Sequence, residues 1–415
     1  MSSNDQSPWG NLAFSDEIRY RIFARLSAKE LAQVAGVCRC WRTEARKMLS
    51  KRNKFESLIL PLWITPYNNG VSLLEGGEFW DIYFQRLAGD PISPVSPLAI
   101  TGNWEVGQIL RCVPKVFYVF YDDTADVTYP FCTEYVESLP RSTLYTEAGF
   151  LRMTLDGTEL FGVTNIGAGL ALPSTPLLQC HMLDISSYFE AEYIDHYDIK
   201  QETYSINLAM RELSSLALSP DSNCFIVLLN RSKIEEWQEG PDWKFETYIN
   251  AFISHLTKSL DAVSYSLLGT GCSWIASSSR SQPWSTSEFT NFTLIYGSAF
   301  KSWSIVIALN LSPAQMIAKL KDLKRNIDVN SSAVALCSYP VDKTCSCWSS
   351  TDQGLCGVSH LDPTEIFKRV FPKITLTCFY DDQDYSQFGC NTLDHDENPV
   401  FVHKKSLIYL ILAMD

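Results

Sequence analysis

Cysteine and histidine are the side chains best suited to metal ligation and nucleophilic chemistry near neutral pH. This chain holds thirteen cysteines and six histidines. Cys345-Ser-Cys347, Cys356 and His360 could supply four zinc ligands in the pattern C-x-C-x8-C-x3-H. Structural zinc sites draw on pairs spaced C-x2–4-C or H-x3–5-H. Only Cys356 and His360 stand at a common pair distance, so packed and loop thiols are expected there, and no metal. Cys390 follows Gly389 in the manner of an exposed nucleophile, but no histidine lies near it in sequence, and it reads as a packing residue; a thiol hydrolase is the minor alternative. Tyr296-Gly-Ser-Ala-Phe300 lacks the second glycine of a nucleophile elbow. Gly167-Ala-Gly169 and Gly269-Thr-Gly271 lack the third glycine or the lysine of a phosphate loop and read as turns. His181, His196, His255, His360, His395 and His403 share no motif, and the acidic pairs Asp122-Asp123 and Asp381-Asp382 follow strand-like runs as loop caps do. No catalytic residue and no cofactor is expected.

The elements that would carry such residues are short β-branched or aromatic runs alternating with amphipathic stretches. Lys115 to Tyr121, Phe225 to Leu229, Phe292 to Tyr296, Trp303 to Leu309, Ala333 to Cys337, Ile374 to Tyr380 and Ser406 to Leu412 read as strands. Ser312-Pro313-Ala314-Gln315 and Asp362-Pro363-Thr364-Glu365 read as helix starts, each a cap followed by proline at the first helical position. Ile317, Leu320 and Leu323 then face one way, as do Ile366, Phe367 and Val370. Glu246 to Leu260 repeats apolar residues at helical spacing. The mixture predicts an α+β (mixed α/β) fold with a large sheet-plus-helix body. No internal repeat stands out. Ser273 to Ser287 holds seven serines and Pro283, the best place to divide the body into two parts.

Composition narrows the class. The 415 residues are 46% hydrophobic, 13% aromatic and 20% charged, which excludes a mostly disordered or collagenous chain. The first ten residues are polar, without the apolar centre of a secretory signal, and the apolar run Leu407 to Met414 is far too short to span a bilayer. The expectation is a soluble protein of cytoplasm or nucleus, with thiols kept reduced. Charge is uneven: residues 1–57 carry eleven Lys or Arg against six Asp or Glu, leaving 23 against 41 in the remainder. An acidic body of this size disfavours nucleic acid as a partner, and no membrane partner is expected. Opposed charge between segments points to separate units with different partners.

The basic head has the densest pattern. Ile18, Ile22, Phe23 and Leu26 form an apolar stripe at helical spacing. Ser27-Ala28-Lys29-Glu30 reads as a capping box. A second helix can begin there, apolar at Leu31, Val34, Val37, Cys38 and Trp41, unless Gly36 marks a break between two short helices. Cys38 reads as a small hydrophobe on that apolar face. Arg39 to Lys54 carries seven Lys or Arg against Glu44 alone and reads as a solvated helix face, the alternative being steering toward an acidic surface. So few residues make a poor independent core and need a partner surface, either in the same chain or in another, the alternative being an ordinary helical subdomain packed on the body.

Phe14-Ser15-Asp16-Glu17-Ile18, Ile22-Phe23-Ala24-Arg25-Leu26, Glu30-Leu31, Val34 and Val37-Cys38-Arg39-Cys40-Trp41-Arg42 together closely resemble the F-box. Phe14-Ser15 stands where most F-boxes have Leu-Pro. What the resemblance implies is docking onto a Skp-type adaptor and through it onto a cullin–RING ligase core, with Phe14, Ile18, Ile22, Phe23, Leu26, Leu31, Val34, Val37 and Trp41 forming the core and docking face. A second resemblance lies in the C-terminal order: Phe292 to Leu309, the Ser312 helix, Ala333 to Cys337, Ile366 to Pro372, Thr375 to Phe379, Gly389-Cys390 and the final strand. It looks like the C-terminal domain of the FIST family (F-box and intracellular signal transduction). The loop Asp381 to Phe388 replaces that family's Gly-rich turn, so no small-molecule role is expected of it.

These readings divide the chain into an F-box at residues 1–57, a FIST N-like α/β region at 58–282 and a FIST C-like domain at 283–415. The function they imply is non-catalytic: a substrate receptor that brings protein targets to a ubiquitin ligase for proteasomal degradation. An adaptor-binding protein acting outside the ligase, and a FIST-type small-ligand sensor, are the alternatives.

Overall fold

The computed structural model describes residues 16–61, 110–122, 139–159, 166–184, 222–231, 264–285, 290–329, 333–341, 362–382, 387–393 and 401–414, apart from a few positions within these ranges, together with helical residues at 250, 253, 254 and 256. The helical N-terminus and the sheet-rich body with few helices confirm the α+β class. None of the described helices is long and apolar enough to cross a membrane.

Three short helices open the chain: α1 (Asp16–Phe23), α2 (Ala28–Val34) and α3 (Arg39–Ser50). The remaining described strands form three sheets of six. The first runs β1 (Glu56–Pro61), β6 (Ile166–Pro173), β2 (Pro114–Asp122), β3 (Leu144–Phe150), β10 (Trp274–Ser279) and β11 (Gln282–Ser285). The second runs β7 (Leu178–Asp184), β12 (Thr290–Gly297), β8 (Asn223–Arg231), β9 (Ser264–Cys272), β16 (Gln387–Gly389) and β17 (Val402–His403). The third runs β13 (Phe300–Ala308), β18 (Ser406–Met414), β14 (Val334–Val341), β15 (Thr375–Asp382), β4 (Arg152–Leu155) and β5 (Thr158–Glu159).

The three orders are one order written three times. Adding six to each strand number of the first sheet gives the second, and adding six again gives the third, with the hairpin after β15 counted on to β4 and β5. Each sheet has one parallel pair at its centre, β2 with β3, β8 with β9 and β14 with β15, between antiparallel neighbours. Each unit also lends its own short hairpin to another unit's sheet: β4 pairs with β15, β10 with β3, and β16 with β9.

Within the serine-rich stretch, Trp274–Ser279 and Gln282–Ser285 pair as β10 and β11 at the edge of the first sheet, and residue 282 is the first of β11. Strands from both sides of it pair directly, β12 with β7 and β8 among them, so the sheets are laid out in three interlocked units where the sequence suggested two parts. The glycine pairs are corrected likewise. Gly167 and Gly169 lie within β6, paired to β1, and Gly269 and Gly271 within β9. A Cβ on Gly269 would stand 2.6 Å from Cβ of Phe388; glycine there admits the neighbouring strand. Gly297 closes β12, where its φ of +149° and its approach to the Leu177 carbonyl exclude a side chain.

The inner faces of all three sheets share one apolar core, including Tyr118, Phe150, Phe225, Leu268, Phe379 and Leu410. A second core lies on the outer face of the third sheet under α4 (Pro313–Asn326) and α5 (Pro363–Lys368). Strand β18 shows why its sequence is apolar throughout: Ile408, Leu410 and Leu412 enter the first core while Leu407, Tyr409 and Ile411 enter the second. A strand covered on both faces loses the alternation of a half-exposed one. Both helix starts appear as expected, Ser312 in a capping box with Gln315 and Asp362 accepting from the Thr364 amide. On α4 the buried residues are Met316, Leu320 and Leu323, with Ile317 only partly buried.

One charge-bearing group sits inside the first sheet. Glu147 on β3 is 1% exposed and accepts a hydrogen bond from the Tyr145 hydroxyl at 3.0 Å. Burial pushes its carboxyl up to about 8. Folded, it holds its proton below that value; unfolded, it releases it near 4.3. Between those limits the folded state binds a proton that the unfolded state does not, so the contribution of Glu147 to stability falls as pH rises, by roughly 1.4 kcal/mol per pH unit. Glu147→Gln keeps the acceptor for Tyr145 and removes the titration. The stability advantage of the variant in thermal melts should be near zero at pH 4.5 and grow to roughly 5 °C near pH 7.5. An advantage independent of pH would refute the assignment.

Candidate docking site on the N-terminal helices

The three helices close a small core of their own. Phe23, Leu31, Ala45 and Met48 are buried, with Leu26, Val34 and Trp41 partly buried against them. The Phe23 and Trp41 rings meet edge to face at 5.6 Å. The Ser27 capping box forms as its sequence predicts, Ser27 Oγ accepting from the Glu30 amide and Glu30 Oε2 from the Ser27 amide. The chain does break near Gly36: α2 ends at Val34, and Cys38 caps α3.

The expected face residues thus fall into two groups. Phe23 and Leu31 are fully interior, and Leu26, Val34 and Trp41 support them. Ile18, Ile22 and Val37 are 47%, 43% and 65% exposed. On α1, Ile18 and Ile22 are one turn apart and share a side, leaving an apolar ridge open to a partner. Phe14 lies outside the described residues.

Cys38 is corrected. It is exposed, and its Sγ accepts the Trp41 amide at 3.4 Å as the N-cap of α3; a thiol in the sequence position of a hydrophobe serves a role that serine or aspartate usually fills. Cys40 is also exposed and receives a hydrogen bond from Arg19 Nη1 at 2.8 Å. The basic run is a solvated face for the most part, with Arg39, Arg42, Arg46, Lys47, Lys51 and Lys54 exposed. Arg52 departs from it. Its guanidinium donates to the carbonyls of Phe23, Ala24 and Leu26 at the end of α1. Sequence reasoning missed this, since nothing in a run of seven basic residues singles out the one that turns inward.

Among the other candidates, Cys390 is buried, with Sγ 3.2 Å from Ser304 Oγ. Burial pushes its thiol up to about 11, the opposite of an activated nucleophile. Cys345, Cys347, Cys356, His360, His196, His255 and His395 lie outside the described residues. Among the described residues no group of His, Cys, Asp or Glu is placed to hold a metal ion.

Residues 16–53 match the F-box-like family, so the three helices are an F-box-like domain carried at the front of a larger sheet protein. A search of curated proteins found no match. Among solved structures, a cyanuric acid hydrolase from A. caulinodans superposes with a TM-score of 0.35 and 9% identity, over 87% of this chain and 99% of that one. Similarity at that level carries no argument about this chain.

Proposed function

We propose that this protein is the substrate-recognition subunit of an SCF-type ubiquitin–protein ligase. The observation that carries the reading is the F-box-like match over helices that leave Ile18, Ile22 and Val37 exposed. F-box domains generally bind Skp-type adaptors, and an apolar ridge on a small helical head is the kind of surface that stable protein contacts cover. The body then holds the protein target. It does so without catalysing the transfer, by raising the local concentration of target lysines near the charged conjugating enzyme. The order of C-terminal elements, which resembles FIST proteins and F-box only protein twenty-two in particular, supports a body of that kind.

The test is reconstitution with purified Skp-type adaptor and cullin–RING core. The intact chain should copurify with both and support ubiquitin transfer, and a chain lacking residues 1–57 should do neither. Adaptor without cullin would favour a role outside the ligase, and loss of both would end the proposal.

A further inference from the structure

The F-box-like helices are seated on the body with almost no free chain between them. Helix α3 ends at Ser50, β1 begins at Glu56, and Phe55 already lies in the main core, its ring 6.4 Å from that of Phe300. The other side of the joint is the segment entering β2. The Ala28 amide at the start of α2 donates to the Leu110 carbonyl at 2.8 Å. The Glu56 carboxylate accepts the Arg111 and Cys112 amides at 3.0 and 2.8 Å. Leu110 and Cys112 are 1% and 2% exposed. Arg52 stands where these meet: besides the three carbonyls at the end of α1, its guanidinium reaches the Arg111 carbonyl at 3.5 Å.

We infer that Arg52 is the positioning residue that fixes the adaptor-docking helices at one orientation on the body. Its significance for the ligase rests on the proposed function; the geometry does not. A guanidinium carries five donors in a rigid plane and can hold several carbonyls at once, whereas an ammonium on a flexible stem cannot reproduce that fork. The Phe23 and Ala24 carbonyls lie at the end of α1, where a helix runs out of i+4 amide partners, and the Phe23 carbonyl also accepts the Leu26 amide at 3.2 Å. Arg52 therefore satisfies the end of the docking helix and ties it to residue 111 in one step. Glu56 lies close enough to offset the repulsion between Arg52 and Arg111, while burial and Arg111 both weaken the Arg52 cation. With the fork in place, adaptor and target are held at a set separation; without it, the tie between the end of α1 and residue 111 is lost.

Amide hydrogen exchange on the full chain tests this without adaptor or target. In Arg52→Lys, exchange at Ala28, Arg111 and Cys112 should rise roughly ten- to hundredfold, while the α3 amides around Ala45 and Met48 keep their protection. Arg52→Ala should show the same pattern, larger. Unchanged exchange at 111 and 112 in both variants would overturn the inference. So would a rise spread evenly through α1, α2 and α3 in the lysine variant, because that marks a residue that only stabilises the head. Loss of adaptor binding by the wild-type chain would sink the proposed function and leave the exchange result standing.

Discussion

Expressed separately, residues 58–282 and 283–415 should each fail to fold, and their coexpression should recover a soluble, cooperative species. The expectation follows from strand exchange. Cutting at 282 severs β11, removes β7 and β8 from both edges of β12, removes β9 from β16, and leaves β15 without β4. Each broken ladder exposes a row of backbone donors and acceptors that costs about 1–3 kcal/mol per buried group left unmade, and the common core loses walls from all three sheets. Against a total stability of roughly 5–15 kcal/mol for an ordinary domain, neither piece can remain folded. Circular dichroism and one-dimensional proton spectra of the two fragments decide the matter. A dispersed spectrum from 283–415 alone would show that the units are autonomous and that the exchanged hairpins are decoration.

The reason this interlocking escaped the sequence reading is physical. Strands β2, β8, β12, β13, β14, β15 and β18 announced themselves because each is buried on at least one face and rich in β-branched or aromatic residues. Their partners did not. Strand β6 reads Ile-Gly-Ala-Gly and β9 Leu-Gly-Thr-Gly, the latter with Gly269 where Phe388 of β16 approaches closely, and in sequence such pairs look like turns. Strand β10 reads Trp-Ile-Ala followed by three serines, so an edge hairpin resembled a linker. A threefold repeat of strand order is invisible when the three copies share topology and not residues, because pairing between distant strands leaves no local pattern. The head was legible in the opposite sense. Helix spacing and the Ser27–Glu30 box are local signals, and they placed every helix start there except that of Cys38, where a thiol does the capping.

The division of the head residues into interior and exposed groups leads to a sharp test of docking. Ile18→Asp with Ile22→Asp should abolish association with a Skp-type adaptor while leaving the thermal unfolding of the body unchanged. Both side chains are nearly half exposed and take no part in the Phe23–Leu31–Ala45–Met48 core, so their replacement should alter folding by no more than about 0.5 kcal/mol each. A buried apolar anchor at an interface is worth about 2 kcal/mol or more, and burying an aspartate without a partner adds further cost; together the two changes weaken binding by roughly a thousandfold or more. Tyr20, 51% exposed but turned about 160–200° around α1 from the two isoleucines and beneath the Lys51 ammonium at 6.0 Å, supplies the control: Tyr20→Asp should leave the affinity within about threefold, as expected of a change outside the contact. Calorimetric titration of adaptor into the three proteins reads all of this at once. Equal weakening by the Tyr20 change would mean that the adaptor wraps the whole helix. Undiminished binding by the double variant would place the contact elsewhere on the molecule, and the exposed ridge would then need another occupant.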